Sequence, residues 1–187
     1  QANACAHACT GRIRFVGVLF YDADRIEEVA KTPDERLVDA MREIVLDPND
    51  PRVIEEARKQ GIDENWIVAA QNSPSYNLFK KWRIAMPNHP EFRTLPMNFY
   101  VPPLSPVLHN AKAENGGVFD SESMEFFNSI DKMRIPVRYL ANLLSAGNEQ
   151  VVIESLKKQM AVRLWVRQQR VGDIGDNFGR RPSVSVY

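Results

Sequence analysis

The chain has 187 residues, 44% of them hydrophobic, and its 24 basic and 24 acidic side chains leave no net charge. This length and apolar content are enough for one hydrophobic core or two small ones, and the charge balance argues against a nucleic-acid partner. No apolar run approaches the roughly 20 residues that a membrane-spanning helix needs.

The first predicted elements are a strand and a helix. Arg12 to Tyr21 is rich in β-branched and aromatic residues and predicts a mostly buried strand. Thr32, followed by Pro33 and by Glu35 at the capping-box position, predicts the start of a helix. One face of this helix should be buried, because apolar residues recur there at helical spacing. They are Leu37, Val38, Met41, Ile44 and Val45.

Further helices are predicted before residue 82. Asp50 as N-cap and Pro51 at the first helical position should begin the first of them, and Gly61 should end it. Residues 63–72 and 74–81 have the composition of two shorter helices.

Residues 87–106 differ in composition, because six of the twelve prolines lie there. Proline fixes φ and lacks an N–H donor, so the segment should form neither a helix nor a central strand. It is too apolar for a free linker, and we expect it to cross the surface of its own domain or to dock on a partner chain. Its seven apolar or aromatic side chains are Phe92, Leu95, Met97, Phe99, Tyr100, Val101 and Leu104.

The C-terminal part is the clearest helical region. After a polar, glycine-bearing loop at 110–121, one helix should run from Pro136 to a stop at Gly147. Asn148 should then cap a long helix that reaches about Arg170. Its apolar stripe contains Ile153, Leu156, Met160 and Leu164.

The two cysteines, Cys5 and Cys9, are four residues apart, and the chain contains no others. A disulfide is disfavoured, since helical neighbours at this spacing have Cβ atoms about 5–6 Å apart and a bridge prefers about 3.8 Å. Zinc would need further ligands, and only His7 stands nearby. Two inert buried thiols and iron–sulfur ligation both stay open. The C-x3-C spacing matches the end of a ferredoxin run, although Thr10 replaces the usual proline.

Four stretches of the chain carry a resemblance to a known family. They are CTGRIRFVGVLFYDAD at 9–24, DPNDPRVIEEA at 47–57, HPEFRTLPMNFYVPPLSPV at 89–107 and RIPVRYLANLLSAG at 134–147. In this order they resemble the iron–sulfur beta subunit of respiratory nitrate reductases, to which the beta subunits of nitrite oxidoreductases are closely related. Because the chain begins without methionine, inside a cysteine motif, we expect a C-terminal fragment of such a subunit.

The fold that the resemblance implies is mostly α with a short β element. Residues 1–22 would be the truncated edge of a ferredoxin-like iron–sulfur domain. Residues 23–172 would form a helical C-terminal domain that carries the proline-rich segment 87–106, and residues 173–187 would be a loose tail.

The resemblance also implies a site. Matched by position, Cys5 and Cys9 fall on the last two cysteines of the final cluster-binding run, and each would ligate the iron of a different 4Fe–4S cluster. The remaining ligands would lie upstream, where the full-length subunit can also hold a 3Fe–4S cluster. Ala6-His7-Ala8 stands where the family usually has a Ser-Glu-Thr-like trio, which bears on the polarity around the cluster.

The implied function is electron transfer through iron–sulfur clusters, with no active site in this chain itself. Expected partners are a molybdopterin-bearing catalytic alpha subunit and a membrane cytochrome b-type gamma subunit or another electron carrier, with no nucleic acid. The subunit would be peripheral on the cytoplasmic face of the cell membrane, or on the periplasmic side in the nitrite-oxidising branch. One alternative is a nitrite oxidoreductase running in the other direction. Another is a non-redox helical interaction domain whose cysteines are bystanders.

Overall fold

The computed structural model describes residues 4–105, 130 and 134–171. In these residues the chain is mostly helical and contains a small antiparallel sheet of two strands. The expected fold class, mostly α with a short β element, is therefore confirmed. The predicted loop at 110–121 and the predicted tail at 173–187 lie outside the described residues.

The secondary structure consists of short segments followed by two longer helices. The α-helices are α1 (Ala4–His7), α2 (Ile26–Ala30), α3 (Asp34–Glu43), α4 (Pro51–Lys59), α5 (Glu64–Gln71), α6 (Arg134–Leu144) and α7 (Glu149–Val171). The strands are β1 (Arg14–Val16) and β2 (Asn98–Tyr100). A π-helix at Tyr76–Lys81 and 3-10 turns at Ala23–Arg25 and Pro90–Phe92 are the other described elements.

Side-chain caps begin α4 and α7 where the sequence predicts them. The Asp50 carboxylate accepts a hydrogen bond from the N–H of Arg52 at 2.9 Å, and Pro51 occupies the first position of α4. The Asn148 side chain caps α7 in the same way. Past the end of α4, Gly61 has a φ of 77°, the left-handed conformation that glycine adopts without a Cβ clash.

The start of α3 differs from its prediction. Pro33, and not Thr32, takes the N-cap position, and no side chain caps the helix. The Thr32 hydroxyl instead donates to the carbonyl oxygen of Glu28 at 3.0 Å, at the end of α2. The predicted Thr32 cap is therefore wrong. Because α2 ends only two residues before Thr32, its Glu28 carbonyl oxygen is within reach of the Thr32 hydroxyl.

The predicted buried strand from Arg12 to Tyr21 is shortened to the three residues of β1, all half-buried. β1 ends at Val16, although the N–H of Gly17 still donates to the carbonyl oxygen of Met97 at 3.2 Å. At Gly17 a Cβ atom would stand 2.2 Å from the Oγ of Ser73, so a larger residue would not fit there. Leu19, further along, is buried in the core. The strand prediction was therefore wrong in both length and burial.

The proline-rich segment, residues 87–106, supplies β2. No proline lies between Pro96 and Pro102, so the residues in this interval keep their N–H donors. β2 pairs with β1 on one side and, through Tyr100, with Met86 on the other. β2 is thus one strand of a two-stranded sheet and not a central strand, in keeping with the expectation for this segment.

The core is centred on two stacked aromatic rings. The ring centroids of Phe79 and Phe99 are 4.3 Å apart, and neither side chain is more than 1% exposed. Leu156 and Met160 of α7 are fully buried, and α6 packs along the same helix. The apolar face predicted for α3 is buried at every position: Leu37, Val38, Met41, Ile44 and Val45.

Candidate functional site

Cys9 lies in a tight loop that joins α1 to β1. The helix ends at His7, and the N–H of Arg12 donates to the carbonyl oxygen of Cys9 at 3.0 Å. Arg12 has a φ of 49°, in the left-handed region, which reverses the chain toward β1. The Cys9 side chain is half-buried and is a free thiol.

The backbone that follows Cys9 lowers the pKa of its thiol. Hydrogen bonding from the N–H of Ile13 has the largest effect on the pKa of the Cys9 thiol and lowers it. The N–H groups of Gly11, Arg12 and Arg14 lower the pKa further, while desolvation opposes them. Such donors favour the thiolate, which is the form that binds metal ions.

The two cysteines singled out from the sequence occupy different elements. Cys5 lies within α1, and Cys9 lies in the loop that follows it. Within the described residues, no three His, Cys, Asp or Glu side chains come together as a metal site. A free, half-buried thiol whose pKa is lowered nevertheless suits a single iron–sulfur ligand, because the thiolate is the form that binds metal. A complete cluster here would need ligands from elsewhere.

Arg14 stands beside this loop, at the start of β1, and sequence reasoning did not select it. Its guanidinium carbon lies 5.0 Å from the centroid of the Tyr100 ring on β2. Its Nε atom is buried and has no hydrogen-bond partner among the described residues. The sequence TGRIR directly after Cys9 was one available signal. The aromatic partner could not be found that way, because it depends on the pairing of two distant strands.

Side-chain hydrogen bonds connect the proline-rich segment to other parts of the fold. The Arg93 guanidinium donates to the carbonyl oxygen of Ala30 at 2.9 Å and to the carboxylate of Asp34 at 2.8 Å. The Tyr21 hydroxyl donates to the carbonyl oxygen of Pro96 at 2.7 Å. Its burial raises the pKa of Tyr21, so the hydroxyl stays protonated and keeps donating.

Two large apolar side chains of the proline-rich segment nevertheless face solvent. Phe92 is 74% exposed and Met97 is 52% exposed, whereas Phe99 is completely buried. Part of the segment therefore belongs to the core. Another part holds Phe92 and Met97 outward on a backbone that side-chain hydrogen bonds connect to the fold.

The larger cleft, of about 730 Å³, lies between residues 19–24 and α4. Its described lining combines apolar side chains with carboxylates, among them Asp22, Asp50 and Glu56, and includes no described cysteine, histidine or serine. The cleft therefore offers no thiol, imidazole or serine hydroxyl to act as a nucleophile.

A smaller cleft of about 130 Å³ surrounds a buried arginine. Arg42 is 4% exposed, and its guanidinium donates to the carbonyl oxygens of Phe79 and Ala85, each at 3.2 Å. Burial lowers the pKa of Arg42, and an ion pair with Asp39 at 3.0 Å opposes that effect. Arg42 and Asp39 thus form hydrogen bonds and an ion pair within the fold, so these two residues have a structural role.

α7 is 23 residues long, but lysines and arginines interrupt its apolar residues. In the part of the chain that the structure describes, no helix is both long and apolar enough to cross a membrane.

Known proteins match this chain over most of its length. The family model described as "Respiratory nitrate reductase beta C-terminal" matches residues 104–178. The "Respiratory nitrate reductase 2 beta chain" of Escherichia coli (strain K12) is 51% identical over 179 residues, which are 94% of this chain and 34% of that protein. The "Nitrate reductase beta chain" of Bacillus subtilis (strain 168) is 44% identical over 164 residues, which are 87% of this chain and 33% of that protein. The chain thus spans about one third of the length of these curated relatives.

Proposed function

Because the chain belongs to the family of respiratory nitrate reductase beta chains, we propose that it is part of the iron–sulfur electron-transfer subunit of such an enzyme. The subunit would pass electrons to a catalytic partner and would itself catalyse no reaction. Nitrate reduction is the direction that the names of the relatives favour. Nitrite oxidation is the alternative direction.

The observation that carries this proposal is the identity of 44–51% to nitrate reductase beta chains over most of this chain. The lowered pKa of the Cys9 thiol is consistent with a thiolate at the position where the family resemblance expects a cluster ligand. Cys9 would bind iron of one 4Fe–4S cluster, and Cys5 would bind iron of another. A bound cluster supplies one-electron transfer, and the surrounding residues fix its position and its electrostatic environment.

The subunit would work within a membrane-associated complex. Its partners would be a molybdopterin-bearing catalytic alpha subunit and a cytochrome b-type gamma subunit or another electron carrier. We place it on the cytoplasmic face of the membrane. Residues 1–22 would form the edge of the ferredoxin-like domain, and residues 23–172 would form the helical domain that meets the partners.

Alanine substitution of each cysteine in the full-length subunit, assembled with its partners, tests this function. Cys5→Ala and Cys9→Ala should each lower the iron content per complex. Each should also leave only a small fraction of the electron flow from a reduced donor to nitrate, because the clusters act in series. His7→Ala is the matched control, since His7 lies between the two cysteines, is exposed and carries no thiol. Wild-type iron content and electron flow in both cysteine variants would instead favour the non-redox interaction domain.

We further propose that Phe92 and Met97 contact the catalytic subunit. Both side chains are exposed, while hydrogen bonds from Arg93 and Tyr21 hold the backbone that carries them. A surface ordered before binding loses little conformational entropy when it is covered, so its apolar side chains can contribute most of their burial energy to association.

The double variant Phe92→Ala/Met97→Ala should weaken this association. Truncating an interface aromatic that binding buries commonly costs about 2 kcal/mol or more, which is over tenfold in Kd. The thermal stability of the free subunit should change little. Trp66→Ala, which removes an aromatic side chain that is 57% exposed on α5, is the control. Unchanged association of the double variant, or equal weakening by Trp66→Ala, would place the contact elsewhere.

A further inference from the structure

The second half of α7 extends past the hydrophobic core. In the first half, Val152, Leu156 and Met160 recur at four-residue spacing and are fully buried. Beyond Met160 no side chain of α7 that the structure describes is buried, although the half-buried Leu164 still packs against the core. The helix nevertheless continues to Val171, about two turns further. These last turns present a helix surface to solvent.

Two large apolar side chains of this second half face solvent. Trp165 is 61% exposed and Val162 is 54% exposed. Residues three apart are neighbours on the surface of a helix, so these two side chains form one apolar strip. Such a strip fits several kinds of partner, and the charges around it distinguish among them.

The residues around the apolar strip carry charge of one sign. From residue 155 to residue 171 the sequence contains five lysines and arginines and no aspartate or glutamate. The side chains of Arg163 and Arg170 are exposed. Protein interfaces commonly combine charges of both signs, which fix the register of the two partners. A basic helix with an exposed tryptophan is instead typical of a helix that lies on an anionic bilayer.

We propose that the second half of α7, residues 161–171, binds the surface of a membrane that contains anionic phospholipids. Trp165 and Val162 would enter the boundary between headgroups and acyl chains, where the amphipathic indole ring is favoured. Arg163 and Arg170 would bind phosphate oxygens, which guanidinium groups contact in a bidentate manner. The inference rests on the membrane-associated complex proposed above for its setting, but this binding requires no iron–sulfur cluster.

Sedimentation of the full-length subunit with lipid vesicles tests this proposal. Vesicles of phosphatidylcholine mixed with phosphatidylglycerol should bind the subunit about tenfold or more tightly than vesicles of phosphatidylcholine alone. Added salt should weaken this binding, because it screens the charges. Arg163→Gln/Arg170→Gln should weaken binding to the anionic vesicles roughly tenfold. Trp165→Ala should also weaken it and should keep its salt dependence. Neither variant should change thermal unfolding, because the three side chains are exposed.

Two variants at other elements are matched controls. Arg36→Gln/Arg138→Gln removes the same charge from exposed side chains of α3 and α6, and Trp66→Ala removes an aromatic side chain 57% exposed on α5. Both should bind the anionic vesicles as wild type does. Equal binding to the two kinds of vesicle, absence of binding, wild-type binding in both α7 variants, or equal weakening by the controls would overturn the proposal.

A protein partner on the apolar strip would give a different result. The α7 variants would then bind vesicles as wild type does but lose assembly with the catalytic subunit, and this outcome would also overturn the proposal. Cys9→Ala should bind the anionic vesicles as wild type does. Iron content and electron flow in the cysteine variants therefore test the proposed function, while vesicle binding tests the role of α7 separately.

Discussion

Phe99 is the residue of the proline-rich segment that contributes most to the core. It is completely buried and stacks on Phe79, with the ring centroids 4.3 Å apart. Phe99→Ala should therefore lower the free energy of unfolding by about 3–5 kcal/mol, because it leaves a cavity and removes the aromatic contact. Denaturant unfolding of the chain measures this change. Phe92→Ala, at a residue 74% exposed in the same segment, should stay within about 0.5 kcal/mol of wild type. Equal losses in the two variants would contradict the burial described here.

The contrast between Phe99 and Phe92 shows that the sequence could not predict which individual side chains of the segment are buried. The composition of residues 87–106 predicted correctly that the segment packs against something. It could not assign individual side chains, because prolines remove the regular period that identifies a buried face. Phe99 is buried because β2 pairs with β1, and that pairing joins residues far apart in the sequence.

At the scale of secondary-structure elements, Asp50 tests whether the N-cap predicted from the local sequence stabilises its helix, α4. Its carboxylate accepts a hydrogen bond from the N–H of Arg52 at the first turn of α4. Asp50→Ala should lower the free energy of unfolding by about 1 kcal/mol, because an N–H of the first turn loses its partner. Thr32→Ala provides the comparison, since Thr32 has the composition of a cap but its hydroxyl bonds the carbonyl oxygen of Glu28. Denaturant unfolding measures both changes. A larger decrease in the free energy of unfolding for Thr32→Ala than for Asp50→Ala would contradict the assignment of Asp50 as the cap.

The helices were predictable because their signals are local. Asp50, Asn148 and Gly61 act within a few residues of their own positions, and the buried face of α3 follows from helical spacing. The sheet was less predictable. The extent of β1 depends on its pairing with β2, which is more than 80 residues away in the sequence.

At the scale of the whole molecule, the candidate site was only partly readable from the sequence. Cys5 and Cys9 were selected through the family resemblance, and the structure adds the tight loop that carries Cys9 and the lowered pKa of its thiol. That loop includes the left-handed conformation of Arg12, which is not encoded in residue spacing. A complete cluster would need further ligands from outside the described residues.

The most direct test of the central claim is electron paramagnetic resonance of the reduced, assembled complex with Cys5→Ala or Cys9→Ala in the full-length subunit. The two cysteines would ligate different clusters, as the last two cysteines of a ferredoxin run do when the final one crosses to the other cluster. Each substitution should therefore remove or alter a different cluster signal and leave the other in place. Loss of one and the same signal in both variants would contradict the two-cluster assignment. Full retention of every cluster signal in both would contradict iron–sulfur ligation by this chain.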